Sequence, residues 1–289
     1  MWLFCILNYL CEIAMKQNPF SFYDFLGYLI PGALFLYILY FGGEHYHWGI
    51  ATEARGYLSQ NNNSLGELLN FLPLVILSYV VGHFLALVSS FMVEKYSNCN
   101  NGFPSQYLIS GKGNGYFHKA DFWSVIGRAI LWVTILPISI PDIVTHWKFR
   151  QNKKMDQRLG PVVFDLCREI LKEKFKMDTS SMDDKTGVDG DSFRLIYHYA
   201  FENSEAHASK LQNYVALYGF TRNIAMIFVI VFWTLILLKF GMGVGIGFIP
   251  IFTSVIMAFV FYKGFVKFYK RYTLEAMMAV CAIATRDPK

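Results

Sequence analysis

Charged side chains are scarce in this chain, and four long stretches contain no Asp, Glu, Lys or Arg. The longest, Leu68–Val93, has 26 residues, and the others are Phe25–Gly43, Asn223–Leu238 and Phe240–Tyr262. Charged residues make up 16% of the chain, whereas soluble domains usually carry about a quarter. A bilayer core about 30 Å thick requires roughly 20 helical residues. The composition therefore indicates a helical membrane protein rather than a soluble one.

The chain also lacks the spacing of a metal or disulfide framework. Its five cysteines, Cys5, Cys11, Cys99, Cys167 and Cys281, are scattered without a CxxC pair, which argues against a zinc knuckle or a disulfide scaffold. No GxSxG, HExxH or paired catalytic carboxylate motif is present, so no hydrolase is indicated. We predict that the protein is not an enzyme and that it has no catalytic residues, metal site or cofactor.

Three short polar segments resemble binding sites only in part. The segment Glu44–His47 offers two imidazoles and a carboxylate but no distant ligand. The segment Gly111–Gly115 is rich in glycine but lacks the GxxxxGK[ST] spacing of a phosphate loop. The aspartates between residues 183 and 191 do not match a calcium loop. Loops and turns explain all three segments more simply.

The predicted fold is an all-α membrane protein with four transmembrane helices in two hairpins. Residues 1–93 form an N-terminal interfacial helix and the first hairpin, and residues 94–222 form a helical cytosolic module inserted between spans 2 and 3. Residues 223–262 form the second hairpin, and residues 263–289 form a cytosolic C-terminal helix. The opening run ends with Lys16 rather than beginning with a base, so no cleavable signal is predicted.

Residues 122–147 form an apolar segment within the connection between spans 2 and 3. Only 13 uncharged residues, Ala129–Pro141, lie between Arg128 and Asp142, which is too few for a span. Pro137 and Pro141 also interrupt a helix. We therefore predict an interfacial or half-inserted helix rather than a fifth span.

The distribution of basic residues predicts the orientation. With four spans, one side of the membrane carries 24 of the 26 Lys and Arg residues, and the other carries only Arg55 and Lys239. Basic residues favour the cytoplasmic side, although long domains count for less in this rule. We expect a multi-pass membrane protein with both termini in the cytoplasm.

Two helices are predicted inside the module. From Val163 to Phe175, apolar residues recur with the helical period opposite charged ones. After a polar loop, Asp191 or Ser192 is expected to cap a second helix. Its apolar face reaches Tyr218, so we expect this helix to continue almost without interruption into the membrane.

Candidate pore or gate residues are ionisable or flexible positions within the spans. Asp24 and His83 are candidates because burying an ionisable group in lipid costs several kcal/mol and so suggests a function. The alternative roles are a cap of the first span for Asp24 and a hydrogen bond to a neighbouring helix for His83. Gly241, Gly243, Gly245 and Gly247 form either a flexible turn, which we favour, or GxxxG contacts between helices.

Four charged residues are candidates for coupling the module to the spans. Glu202, Arg222, Arg271 and Glu275 lie on helical segments that enter or leave the last two spans. They are expected either to form ion pairs that transmit movement or to form a basic collar that faces anionic lipid.

Several segments resemble known membrane effectors. The stretch from Ala200 to Met226 contains Tyr–Gly–Phe–x–Arg–Asn before a span, the tail contains Arg–Tyr–x–x–Glu, and the start reads FYDFLGYLIPGAL. These features cover about a third of the chain and are similar to bacterial inner-membrane effectors of phage-defence operons, of the Hailong kind. The resemblance implies an oligomeric channel that responds to an oligonucleotide made by a partner nucleotidyltransferase.

We expect a homo-oligomeric channel or pore in the lipid bilayer, with a tetramer favoured, that is gated by its cytosolic module. An anionic, nucleotide-type signal would trigger membrane depolarisation in antiphage defence. One alternative is a membrane-bound enzyme acting on lipid, with His118 and Asp121 as its candidate polar pair near the cytosolic interface. The other is a scaffold that recruits a soluble partner through Val163–Phe175.

Overall fold

The computed structural model of this chain describes residues 22–46, 64–111, 121–146 and 154–284, together with Gly49, Glu53, Arg55, Gly56 and Tyr116. The described part is helical, and it contains no strand. The predicted N-terminal interfacial helix, residues Lys112–Gly115, His118 and the last five residues lie outside it.

Ten helices are labelled in chain order among the described residues. They are α1 (Ile30–His45), α2 (Ser64–Ser89), α3 (Lys95–Asn101), α4 (Pro104–Ser110), α5 (Phe122–Thr134), α6 (Leu136–His146), α7 (Leu159–Glu173), α8 (Gly190–Asn203), α9 (Glu205–Ile236) and α10 (Phe248–Ala284). A short turn, Phe22–Asp24, precedes α1, and π-helical segments lie at Phe25–Leu29, Ser90–Glu94 and Leu237–Gly241.

Four helical stretches are long and apolar enough to cross a membrane, as the sequence predicted. They are Phe25–His45, Phe71–Ser110, Glu205–Gly241 and Phe248–Ala284, with mean hydropathies between 1.8 and 2.4. Only 17% of the most apolar part of the first stretch is buried within the protomer, and the fraction is 39% in the third. Most of this apolar surface therefore faces outward, which is consistent with a multi-pass membrane protein.

Helices α5 and α6 form a pair that is bent by 95° at Ile135. Pro137 contributes to the break because it has no N–H to donate to the carbonyl of Val133 one turn earlier. The tip of the pair reaches α9, where Trp233 Nε1 donates to the Thr134 carbonyl at 2.6 Å. Both arms then contact α3. This geometry is compatible with either a broken span or a re-entrant segment.

Two main cores share the long helices α9 and α10. One core lies among α4, α7, α8 and the C-terminal part of α10, with Val163, Cys167, Ile196 and Ala276 fully buried. The other lies among α3, α5, α6 and the central parts of α9 and α10. Leu211 of α9 also belongs to the first core, so the same two helices pass through both cores.

The helices of the module differ from the sequence prediction in two details. The predicted apolar face of Val163–Phe175 is confirmed, but the N-cap of α8 is Asp189 rather than Asp191 or Ser192. The second helix also ends at Asn203, where Ser204 adopts an extended conformation with φ −148° and ψ 96°. The helix that enters the predicted membrane region is therefore a new one, α9.

Close approach of α1 and α2 depends on two glycines. A Cβ atom at Gly32 would lie 1.8 Å from the Ser78 carbonyl oxygen, and one at Gly82 would lie 2.0 Å from the Tyr28 carbonyl oxygen. Since real Cβ atoms do not approach backbone this closely, only glycine permits the observed spacing. Small residues play this role at membrane helix interfaces in general.

Candidate functional site

The most strongly connected polar group in the apolar part of the molecule surrounds Arg222 on α9. Arg222 is 5% exposed, and its guanidinium forms an ion pair with Glu94. It also donates to Ser89 Oγ at 3.1 Å and to the Ala86 carbonyl at 3.3 Å. A charge buried in an apolar region is stable only when it is paired and hydrogen-bonded in this way. We call Ser89, Glu94, Arg222 and Asn223 the arginine cluster.

Asn223 connects this cluster to the first span. Its side-chain amide donates to the Gly27 carbonyl at 2.7 Å, and Ser89 Oγ donates to its oxygen. Pro31, four residues after Gly27, has no N–H to donate to the Gly27 carbonyl, and Asn223 supplies a donor instead. The neighbouring π-helical segment Phe25–Leu29 is a form that often occurs at functional sites. A local defect in one span is thus completed by a side chain from another.

A stripe of polar and aromatic side chains continues from the cluster along α2 and the start of the first span. The His83 ring stacks on Tyr28, with centroids 3.8 Å apart, and Tyr79 meets His83 edge-on at 4.6 Å. The Tyr28 hydroxyl lies 3.5 Å from the Tyr23 hydroxyl. Asp24 lies one helical turn before Tyr28. We call Tyr23, Asp24, Tyr28, Tyr79 and His83 the polar stripe.

The stripe contains both ionisable residues that the sequence predicted as pore candidates. His83 is exposed on the surface of the protomer although α2 is apolar around it, and Asp24 is half-buried. Tyr23 packs against α9, since a Cβ atom at Gly219 would lie 3.3 Å from the Tyr23 ring. The stripe and the arginine cluster are therefore contiguous.

The four predicted glycines lie at the other end of α9. Gly241 ends the π-helical segment, and Gly243, with φ +67°, lies in the non-helical connection to α10, as do Gly245 and Gly247. This arrangement favours the turn over a helical GxxxG contact. Gly241 is 22 residues beyond Gly219, or about 33 Å along the helix. The glycines and the polar stripe therefore do not form one site.

The charged residues predicted to couple the module to the spans have separate partners. Arg222 pairs with Glu94. Glu275 instead contacts His207 Nδ1 at 2.9 Å and Lys210 Nζ at 3.5 Å, which joins α10 to α9. Glu202 and Arg271 are both exposed, and no ion pair links either one to a residue that the structure describes.

A second buried ion pair holds the bent pair of helices against α10. Asp142 on α6 is 2% exposed, and Lys263 Nζ lies 2.6 Å from its Oδ1. Asn100 Nδ2 donates to Asp142 Oδ2 at 2.9 Å, and the Tyr96 hydroxyl donates to the same oxygen at 3.3 Å. Asp142 therefore has an ion-pair partner and two hydrogen-bond donors in its buried position.

A cavity of about 490 Å³ lies where the two main cores meet, beside the arginine cluster. One wall is a series of near-parallel tyrosine rings, Tyr218, Tyr269 and Tyr272, with centroids 5.6–6.4 Å apart. Glu94, Asp189, Asp191 and Arg194 also line it. With three carboxylates and one guanidinium on its walls, this cavity does not favour a multiply charged anion.

Among the described residues, the segment considered as a metal site and the helix face considered as a scaffold surface both have structural roles. Glu44 pairs with Arg55, with Nε and Oε1 2.7 Å apart, whereas His47 lies outside the described residues. Within the described part, no three His, Cys, Asp or Glu side chains are close enough to hold a metal ion. The apolar face of α7 that a scaffold would present is covered by α8 and α10.

Sequence reasoning missed Ser89, Glu94, Asn223, Asp142 and Lys263 as functional candidates. One signal was available, because Glu94 is the first charged residue after the longest uncharged run and Arg222 is the last before another. Charges at the ends of two spans that lie side by side can pair. The sequence alone does not show which spans are neighbours.

Comparison of the chain with models of known protein families, with curated proteins and with solved structures finds no match.

Proposed function

We propose that this protein is the subunit of a homo-oligomeric membrane channel whose gate is moved by the module around α7 and α8. The observation that carries the proposal is the polar stripe on two neighbouring apolar spans, in which His83 is exposed and the other four residues are partly exposed. Contact of the exposed His83 and the partly exposed Asp24 with lipid would be costly. The same residues are favourable if copies of the chain bring their stripes together around a hydrated path. Four spans are few to enclose a route, so several protomers are needed.

The gating part of the proposal is supported by the continuity of α9 and α10. Both helices contribute buried residues to the core of the module and to the core of the spans. The arginine cluster then joins α9 to the end of α2 and to the Gly27 carbonyl. A displacement of the module would therefore move α9 and strain the contacts that hold the polar stripe in place.

The proposed orientation places the module in the cytoplasm of a bacterial cell. The basic residues of the module and of the C-terminal segment support this choice. It requires the α5–α6 pair to enter and leave on the same side, as a re-entrant segment. The contacts of both arms with α3, and of the tip with Trp233 farther along α9, support that arrangement.

An anionic, nucleotide-type regulator remains part of the proposal, because the module is rich in basic residues and the sequence resembles effectors of phage-defence operons. Depolarisation of the membrane would be the antiphage outcome. The cavity beside Glu94 does not favour such a ligand, since carboxylates outnumber bases on its walls. We therefore propose that the regulator binds elsewhere on the module and acts through α9 and α10.

The test is ion flux through the purified full-length protein in liposomes, with and without short oligonucleotides on the module side. We expect triggered flux in the wild type and at least a tenfold reduction in His83→Ala and Asp24→Asn. Leu77→Ala is the control, because Leu77 is an exposed apolar residue on another face of α2. Absence of flux under every trigger, or equal loss in the control, would contradict the proposal.

A further inference from the structure

A second cavity, of about 430 Å³, opens on the surface between the end of α2, α3 and α5. Its volume falls within the range of about 300–1,000 Å³ that is usual for small-molecule sites. Phe91, Met92, Ile130 and Leu131 give it apolar walls, and Lys95, Arg128 and Ser124 add polar groups. We call it the α3–α5 cleft.

The charged side chains among the described residues that line the cleft are both basic. Among the described residues that line it, Lys95 and Arg128 are the charged ones, and none is Asp or Glu. The Lys95 ammonium lies 4.8 Å from the centre of the Phe91 ring. The Arg128 guanidinium is held in position by a hydrogen bond to the Tyr116 carbonyl. A ligand that fits these groups is anionic.

The polar and apolar groups lie in a definite order along the cleft. Lys95 directly follows Glu94, the first charge after the uncharged run of α2, whereas Phe91 and Met92 lie inside that run. On the opposite wall, Arg128 precedes Ile130, Leu131 and Thr134, and Thr134 contacts Trp233 within the apolar part of α9. One end of the cleft is therefore cationic, and the other is apolar and faces the membrane interior.

We propose that the α3–α5 cleft binds one anionic phospholipid, with an acyl chain along the apolar walls and the phosphate beside Lys95 and Arg128. An amphiphile with a negative headgroup matches both the charge and its order along the cleft, whereas a zwitterionic lipid loses the charge match. Basic pockets between membrane helices are known to bind such headgroups. The site is independent of whether the protein conducts ions, since it uses none of the polar stripe.

The first experiment measures lipid binding to the full-length protein by native mass spectrometry in detergent. Phosphatidylglycerol and phosphatidylethanolamine with identical acyl chains are compared. Two cations near an anionic headgroup predict about a 30-fold preference for phosphatidylglycerol. K95Q/R128Q is expected to reduce that preference to near unity. Lys267→Gln, an exposed base on α10 outside the cleft, is expected to keep it.

A second variant fills the cleft without disturbing the fold. Gly127 lines the cleft, and a Cβ atom there would meet no other heavy atom within 4 Å. Leu also has a better helix propensity than Gly. Gly127→Leu is therefore expected to fold and to lower binding of phosphatidylglycerol at least tenfold. Gly42→Leu makes the same change at an open helical position away from the cleft and should leave binding unchanged.

Three results would overturn the proposal. The first is equal binding of the two lipids by the wild type. The second is retention of phosphatidylglycerol by both Gly127→Leu and K95Q/R128Q at control levels. The third is full competition by glycerophosphate, which has the charge but no acyl chain, at the concentration of the lipid.

Discussion

At the scale of single residues, the arginine cluster shows how a few buried polar side chains can connect three spans. Arg222 has several partners, and each lies on a segment distant in sequence: Glu94 is 128 residues away and Ala86 is 136. Removing one member of a buried ion pair leaves the other uncompensated, which is more costly than removing both. The cluster is therefore expected to act as a unit.

This expectation can be tested with a double-mutant cycle. Arg222→Met and Glu94→Gln should each destabilise the protein, by about 3–5 kcal/mol for the arginine, and the double variant should cost less than the sum. Thermal or denaturant unfolding in detergent measures the coupling. The matched control is the exposed Arg168–Asp165 pair at 3.5 Å, for which about 0.2–1 kcal/mol is expected. Equal coupling in the two cycles would show that Arg222 is not energetically special.

The N-cap of α8 gives a prediction about pH. Partial burial raises the pKa of Asp189, but hydrogen bonds from Ser192 and from the backbone of Asp191 outweigh this effect and lower the pKa overall. Because the folded pKa is lower than the unfolded one, the stabilisation is present above the unfolded pKa of about 3.9. It is lost as the pH falls through the folded pKa.

Asp189→Ala should therefore destabilise the protein by about 1 kcal/mol near neutral pH, with a difference from wild type that shrinks as the solution becomes strongly acidic. Unfolding of the full-length protein between pH 3 and pH 7 measures this. Asp191→Ala, whose side chain is exposed and paired only weakly with Arg194, serves as the control. A difference from wild type that does not change with pH would rule out the carboxylate as the cause.

At the scale of elements, the α1–α2 pair depends on its glycines. Gly32→Ala and Gly82→Ala would each place a methyl group against backbone of the neighbouring helix, so the helices must separate. We expect a loss of several degrees in melting temperature and a weakened oligomer in both variants. Gly42→Ala, where no heavy atom lies within 4 Å, should be neutral or slightly stabilising because Ala favours helix. Size-exclusion chromatography and thermal melting measure both effects.

The elements themselves were largely predictable, because lipid imposes a simple pattern on the sequence. Uncharged runs marked the four apolar helices, and the helical period at Val163–Phe175 marked α7. The break at Ser204 and the glycine contact between α1 and α2 were not predicted. Both features depend on which residues pack against these positions in the folded protein, and the composition along the chain does not reveal those contacts. For the same reason, the polar stripe was predicted only as two unconnected residues, Asp24 and His83.

At the scale of the whole molecule, the bent pair decides the topology. If α5–α6 is re-entrant, Glu53 and Gly245 lie on one side of the membrane and Lys172 lies on the other. If the pair instead crosses the membrane, Glu53 and Lys172 lie on the same side and Gly245 lies opposite. Single cysteines at these positions, introduced into a cysteine-free background, distinguish the two arrangements.

We expect a membrane-impermeant maleimide applied to intact cells to label the cysteine at 53 and at 245 but not the one at 172. All three should react after the membrane is permeabilised, which controls for accessibility. Labelling of 53 and 172 together would establish a fifth crossing and would place the module outside the cell, against the gating proposal. The α3–α5 cleft would stay in the same leaflet, because Lys95 follows the second span in both arrangements.

The hydrogen bond between Asn223 and the Gly27 carbonyl has a consequence for biogenesis. The donor is encoded 196 residues after the acceptor, so a ribosome adding about 5–20 residues per second needs roughly 10–40 s to supply it. During that interval the nascent first helix carries an unsatisfied carbonyl, which hydrocarbon tolerates poorly. We therefore expect the first helix to keep this carbonyl near water or a temporary donor until α9 has been made.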